Sequence, residues 1–137
     1  MLSKSKYTTA AAIYITILQL MKNQDFIDQH GVHSEIWDGV FKEREPTIVE
    51  FWAFLKRKKI KCVAHNTKNK KNNCLLFKKK KKYYLILGRD QCYYYIFDSK
   101  KTYLIKEKIS NVLPFLNSTI VIDLCFTVQE IDTKIFK

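Results

Sequence analysis

The sequence predicts an α+β domain in which N-terminal helices pack against a mainly antiparallel sheet of about five or six strands. Three observations carry that prediction. Before Ile60 the apolar residues recur at helical spacing; after it they fall in short runs rich in branched and aromatic residues. The stretch from Cys74 to Asp98, CLLFKKKKKYYLILGRDQCYYYIFD, holds three such runs and reads as three consecutive antiparallel strands in the middle of the sheet. The last two runs are apolar at odd and even positions alike, so both faces of that sheet must be covered.

The elements follow in order. Ser3 or Ser5 caps a helix from about Tyr7 to Lys22, whose stripes Ala10, Ile13, Ile17, Leu20 and Ala11, Tyr14, Leu18, Met21 make a wide, largely buried face. Asn23 to Gly31 reads as a loop or turn, and His33 to Phe41 as a second helix ended by the polar run before Pro46. Thr47 caps a third helix to about Lys59, with Glu50 at the capping-box position and Ile48, Phe51, Trp52 and Leu55 inward. Its basic C-terminal end suits the helix dipole. Ile60 to Ala64 is a strand, and His65 to Asn73 a polar connection. The three organising strands follow, Leu75–Phe77, Tyr83–Leu87 and Cys92–Phe97, with Gly88-Arg89-Asp90-Gln91 as the hairpin connection. Thr102 to Ile105 is a short edge strand after the turn at Ser99-Lys100-Lys101. Lys106 to Leu113 is a turn or short helix broken by Pro114, and Ser118 to Phe126 is the last strong strand.

Composition narrows the function classes. The 137 residues suit a single domain, and 47% hydrophobic content with three Gly and two Pro argues for a packed core. No apolar run approaches the roughly 20 residues that span a bilayer. Tyr14, Thr16 and Gln19 interrupt the one stretch that imitates a signal peptide, so the reading is a cytosol-facing domain. Cys62, Cys74, Cys92 and Cys125 form no C-x-x-C and read as reduced cysteines in or beside strands. His30 and His33 have no third ligand at a recognisable spacing. No Walker motif occurs, and no cofactor is assigned. The net charge is +12, and the interval between Glu50 and Asp90 carries no acid but 14 of the 25 Lys and Arg. Such one-sided charge points to an acidic partner: nucleic acid, anionic lipid or an acidic polypeptide.

The order of elements, with the segments TIVEFWAFLKRKKIKCVAHN, LLFKKKKKYYLILGRDQCYYYIFDSK and SNVLPFLNSTIVIDL, resembles the papain-like, double-glycine leader peptidase domain of bacteriocin and type I secretion ABC exporters. The resemblance covers nearly the whole chain. In that family a cysteine starts the first long helix, a histidine opens a sheet strand and an aspartate closes the next. Here those positions fall on Tyr7, Tyr83 and Asp98, and almost no chain precedes Tyr7 to supply the glutamine that donates to the oxyanion. A phenol with an ordinary pKa of about 10 and no imidazole beside it is not an activated nucleophile. Thr8 and Thr9 lack a histidine base.

The resemblance therefore implies a degenerate, non-catalytic member like those of haemolysin-type exporters, which dock their unfolded substrate before export. It implies an N-terminal part of a longer transporter, at the cytoplasmic face of the bacterial inner membrane, meeting the membrane only through the transporter. Its partners would be an acidic, unfolded secretion substrate and the rest of the ABC exporter. The substrate-docking residues expected on this reading are Phe77, Tyr83 and Tyr93, with Lys78, Lys79, Lys80, Lys81 and Lys82 speeding encounter. Tyr83 and Asp98 are expected to bring their side chains together near Tyr7. Charge alone leaves an alternative, a basic domain that binds nucleic acid or an anionic surface.

Overall fold

The computed structural model describes residues 8–21, 44–65, 73–98 and 104–128. The expected loop and helix between Asn23 and Phe41, the Ser99-Lys100-Lys101 turn and Tyr7 lie outside them.

Helix α1, Thr9–Leu20, begins at Thr8, whose hydroxyl accepts the Ala11 N–H. Helix α2, Ile48–Arg57, begins at Thr47, and the capping box with Glu50 is complete in both directions. It ends in a Schellman motif: the Ile60 N–H reaches the Leu55 carbonyl and the Lys59 N–H that of Lys56. Lys59 takes the positive φ, 61°, that glycine usually supplies there. Buried Ile60 then starts the approach to the sheet.

Six strands follow: β1 Val63–His65, β2 Asn73–Lys79, β3 Lys82–Arg89, β4 Tyr93–Asp98, β5 Leu104–Lys108 and β6 Val121–Thr127. Helix α3, Ile109–Ser118, lies between β5 and β6. The strands form one antiparallel sheet in the order β1-β6-β2-β3-β4-β5. The class is α+β, as expected, and the three organising strands are consecutive and internal.

Both faces are covered. On one, Ala10, Ile13, Tyr14 and Ile17 of α1 and Phe51 and Leu55 of α2 pack on Leu76, Tyr83, Leu85, Ile122 and Leu124. On the other, Leu116, Val112 and Phe115 of α3 pack on Leu75, Phe77, Ile86, Tyr94 and Ile96. Strand alternation sends neighbouring residues to these two cores, which is why the central runs have no polar face.

Several boundaries differ from expectation: Thr8, not Ser3 or Ser5, caps α1, β1 starts at Val63 rather than Ile60, and β6 starts at Val121 rather than Ser118. Gly88 belongs to β3, at a register shift between Ile86 and Gly88, and the turn is made at Asp90, whose carboxylate accepts the N–H groups of Cys92 and Tyr93. Glycine here marks a bulge rather than a loop. Pro114 does not break α3, which runs through it. The edge strand β5 extends to Lys108, beyond the expected Ile105.

Candidate functional site

The first candidate site is where α1 meets β3. Helix α1 presents unpaired N–H groups at its start, a natural place for an anion. Glu45, one residue before Pro46, fills it. Its carboxylate accepts the N–H groups of Thr9 at 2.7 Å and Ala10 at 2.9 Å and also the Thr9 hydroxyl. The Thr9 oxygen in turn accepts the Tyr83 N–H at 2.9 Å. The Tyr83 hydroxyl donates to the Pro46 carbonyl at 2.7 Å, and the Lys78 ammonium donates to the same oxygen at 2.9 Å. Tyr83 is wholly buried, edge-on to Phe51, with Lys78 over its ring. Burial first, and the carboxylates of Glu45 and Glu50 after it, hold the Tyr83 phenol well above its ordinary pKa.

The start of the first helix and the expected histidine position therefore meet, through Thr9 and Tyr83. Asp98 does not join them. Tyr84, not Tyr83, stands opposite Asp98 in the β3–β4 register. Residues opposite each other share a face, and Tyr84 stacks on Phe77 under α3. Asp98 thus lies on the face away from α1, which corrects the expectation that Tyr83 and Asp98 converge. Of the three positions named by the resemblance, Asp98 stands apart from Tyr83, and Tyr7 lies outside the described residues.

The second candidate site is the cleft where Asp98 does lie, between α3 and the sheet, with a volume of about 380 Å³. Phe77, Tyr84, Ile96, Ile105, Val112 and Phe115 give it an apolar lining. Lys79, Lys80, Asp98, Glu107 and Asn111 give it polar groups. The mixture is that of a ligand site, apolar walls with a few placed charges.

The expected docking residues do not share one surface. Phe77 is 4% exposed and Tyr83 0%, on opposite faces of the sheet, so neither is a free aromatic anchor. Tyr93 stands at the far end of β4, with the Lys106 ammonium 4.4 Å from its ring centre. Lys78 is tied to Pro46 on the α1 side, whereas Lys79 lies over the Phe115 ring on the other. Lys80 and Lys81 make the turn and are exposed, and Lys82 opens β3. The physical reason is the pleat: a run of strand residues cannot all face one partner. Sequence reasoning missed Glu45, Glu107 and Phe115. The first was read as part of a polar stop before Pro46, Glu107 lies in the segment read as a turn or short helix, and Phe115 lies just past the Pro114 expected to break it.

Comparison with family models, with curated proteins and with solved structures finds no match to this chain.

Proposed function

We propose that this chain is a non-catalytic, peptidase-like domain that docks an extended, acidic polypeptide, in line with the resemblance an unfolded substrate of a type I secretion ABC exporter at the cytoplasmic face of the bacterial inner membrane. The observation that carries the docking reading is the α3 cleft, whose walls are largely aromatic and aliphatic and whose charged groups are Lys79, Lys80, Asp98 and Glu107. The wider excess of lysines on the chain supplies the attraction for an acidic partner. An aromatic and aliphatic surface supplies affinity, and lysines beside it attract an acidic chain from a distance. Lysines alone would not hold it, because exposed ion pairs contribute only about 0–1 kcal/mol each.

The absence of catalysis is proposed on the state of the α1 junction. The N–H groups at the helix start, which an acyl-transfer site would aim at a reacting oxygen, are occupied by Glu45. Thr9 is 8% exposed and Tyr83 is buried, so a substrate carbonyl has no approach to either hydroxyl. Glu45 is built into this cluster as a helix cap.

The test titrates the chain against an acidic, glycine-rich calcium-binding repeat, with and without calcium, and against single-stranded and duplex DNA. The expected result is binding to the calcium-free, extended repeat, no cleavage of it, and slower association as salt rises. Equal affinity for the two repeat states would overturn the reading. DNA binding with a steep salt slope and no binding of the repeat would favour the nucleic-acid alternative.

A further inference from the structure

Strand β5 closes one side of the sheet, and among the described residues its one strand neighbour is β4. One step beyond the Tyr93–Lys108 pair, the Ile109 N–H donates to the Cys92 carbonyl at 2.9 Å, which fixes the phase of this ladder. Opposed antiparallel residues alternate between hydrogen-bonded and non-hydrogen-bonded pairs. Ile105 and Glu107 therefore turn their backbone groups to β4, and Leu104, Lys106 and Lys108 turn theirs outward. The Lys108 carbonyl is drawn into the start of α3, where Lys108 is the N-cap residue. The edge thus offers the N–H and carbonyl groups of Leu104 and Lys106 and the N–H of Lys108.

Side chains divide this edge by face. Lys106 and Lys108 share a face with their register partners Tyr95 and Tyr93, and Ile105 and Glu107 share the other with Ile96 and Tyr94. Lys106, Glu107 and Lys108 are exposed. Ile105 and Glu107 also line the α3 cleft, so the edge borders that cleft. Lys106 lies over the Tyr93 ring and within the field of Asp90, whose carboxylate is already engaged by the N–H groups of Cys92 and Tyr93 and by the Tyr95 hydroxyl. Lys108 forms no ion pair among the described residues. Lysines on an edge strand deter pairing with a second copy. A two-fold pairing of β5 with itself centred on Lys106, Glu107 or Lys108 sets like charges opposite one another. An acidic strand reverses that sign.

We propose that the extended acidic polypeptide adds to β5 as a further antiparallel strand. Read from its N-terminus, the added segment is acidic, neutral, acidic, apolar, apolar, opposite Lys108, Glu107, Lys106, Ile105 and Leu104 in turn. The two acids meet the two lysines, and the neutral residue keeps a carboxylate away from Glu107. The apolar pair extends Ile105 on the cleft side and buried Leu104 on the α1 side. The inference rests on the reading that the occupant is an unfolded polypeptide, and it supplies the mode and the alternation by which that polypeptide is recognised. In strand addition the backbone bonds give affinity and the alternating side chains give specificity.

The experiment follows the whole 137-residue chain by NMR amide exchange, and by fluorescence anisotropy of a dye-labelled, end-capped peptide, Gly-Glu-Thr-Glu-Val-Val-Gly. On binding, exchange of the Lys106 and Lys108 amides should slow about tenfold, whereas the Glu107 amide, already turned to β4, should change little. N-methylation of the second glutamate, whose N–H faces the Lys106 carbonyl, should weaken binding about tenfold. N-methylation of the valine after it, whose N–H points away from β5, should not. Gln in place of both glutamates should weaken binding about fivefold. Lys106→Glu with Lys108→Glu should reject the glutamate peptide and accept one with Lys in both acidic positions; circular dichroism checks that the fold is kept. Equal loss from the two N-methylations overturns the inference, as does unchanged Lys106 exchange at millimolar peptide. Binding of the calcium-free repeat that is indifferent to the double charge reversal overturns the inference and leaves the docking function standing. Edge pairing with the peptide but no binding of the repeat supports the inference and overturns the export reading.

Discussion

At the level of single residues, three carboxylates of this chain are tied to backbone donors at the starts of elements and in a turn. Glu45 closes α1, Asp90 closes the β3–β4 turn and Glu50 closes α2. Glu50 is the clearest electrostatic case. The Arg44 guanidinium, bonded to it at 3.0 and 3.1 Å, is the main reason its pKa falls from 4.5 to about 2, with the Thr47 N–H second. A depressed carboxyl pKa means that the folded state binds the proton less tightly than the unfolded one. The contribution of Glu50 is therefore complete above pH 4.5 and is lost as pH falls through about 2. In Arg44→Gln the titration midpoint of Glu50, followed by the NMR shift of its carboxyl carbon, should rise from about 2 toward 4.5 without reaching it, because Thr47 still donates. A midpoint that stays in place would show that the ion pair does not form in solution. None of these partners is a distant guess from sequence except Glu45. The capping box is a local pattern, whereas the reach of Glu45 across 35 and 36 positions to α1 leaves no local trace.

At the scale of elements, the β2–β3 hairpin sets local preference against charge. Its two-residue turn is Lys80-Lys81, with φ of 51° and 69°. Two consecutive positive φ values are the mark of a type I′ turn, for which Asn-Gly is the favoured pair. A lysine in the left-handed region costs roughly 1–2 kcal/mol, so replacing Lys80-Lys81 by Asn-Gly should stabilise the domain by about 1 kcal/mol or more in urea denaturation. If the lysines serve docking, the same variant should associate more slowly with the calcium-free repeat. A variant that is more stable and binds unchanged would assign the turn lysines to solvent alone. The hairpin also shows what the sequence can and cannot convey. Strand positions were legible from branched and aromatic runs, because a strand covered on both faces has its own composition. Register was not. A bulge at Gly88 and a turn at Asp90 fix which residue opposes Asp98, and one step in register exchanges Tyr83 for Tyr84 and moves the whole pairing to the other face. The expected site failed on that one step. The α3 cleft was hidden for a different reason: Pro114 reads as a helix end, and α3 continues through it.

At the scale of the whole molecule, the strand order places the last strand among the described residues inside the sheet. β6 sits between β1 and β2, pairing with His65 through Val121 on one side and with Leu76 through Ile122 on the other. Its side chains enter both cores, Ile122 and Leu124 beneath α1 and α2 and Val121 beneath α3. No local signal in STIVIDLCF announces that position; an apolar strand could equally extend the sheet at an edge. The consequence is that the two layers depend on one another. β1 has no other partner among the described residues, and without β6 the edge of β2 and parts of both cores are exposed. Fully burying a Val, Leu or Ile side chain contributes about 1.5–3 kcal/mol, and three such residues of β6 together approach the net stability of an ordinary small domain. A chain ending at Ser118 should therefore lose cooperative folding as a whole, not merely an edge strand. In urea, the full chain should unfold in one transition, with Trp fluorescence and far-ultraviolet circular dichroism coincident. The truncated chain should show no such sigmoid. Replacing Ile122 by Val in the full chain is the graded control: it should keep the single transition and lower stability by about 0.5–1.5 kcal/mol. If the truncated chain instead unfolds cooperatively near the midpoint of the full chain, β6 is an appendage in solution and its place between β1 and β2 is wrong.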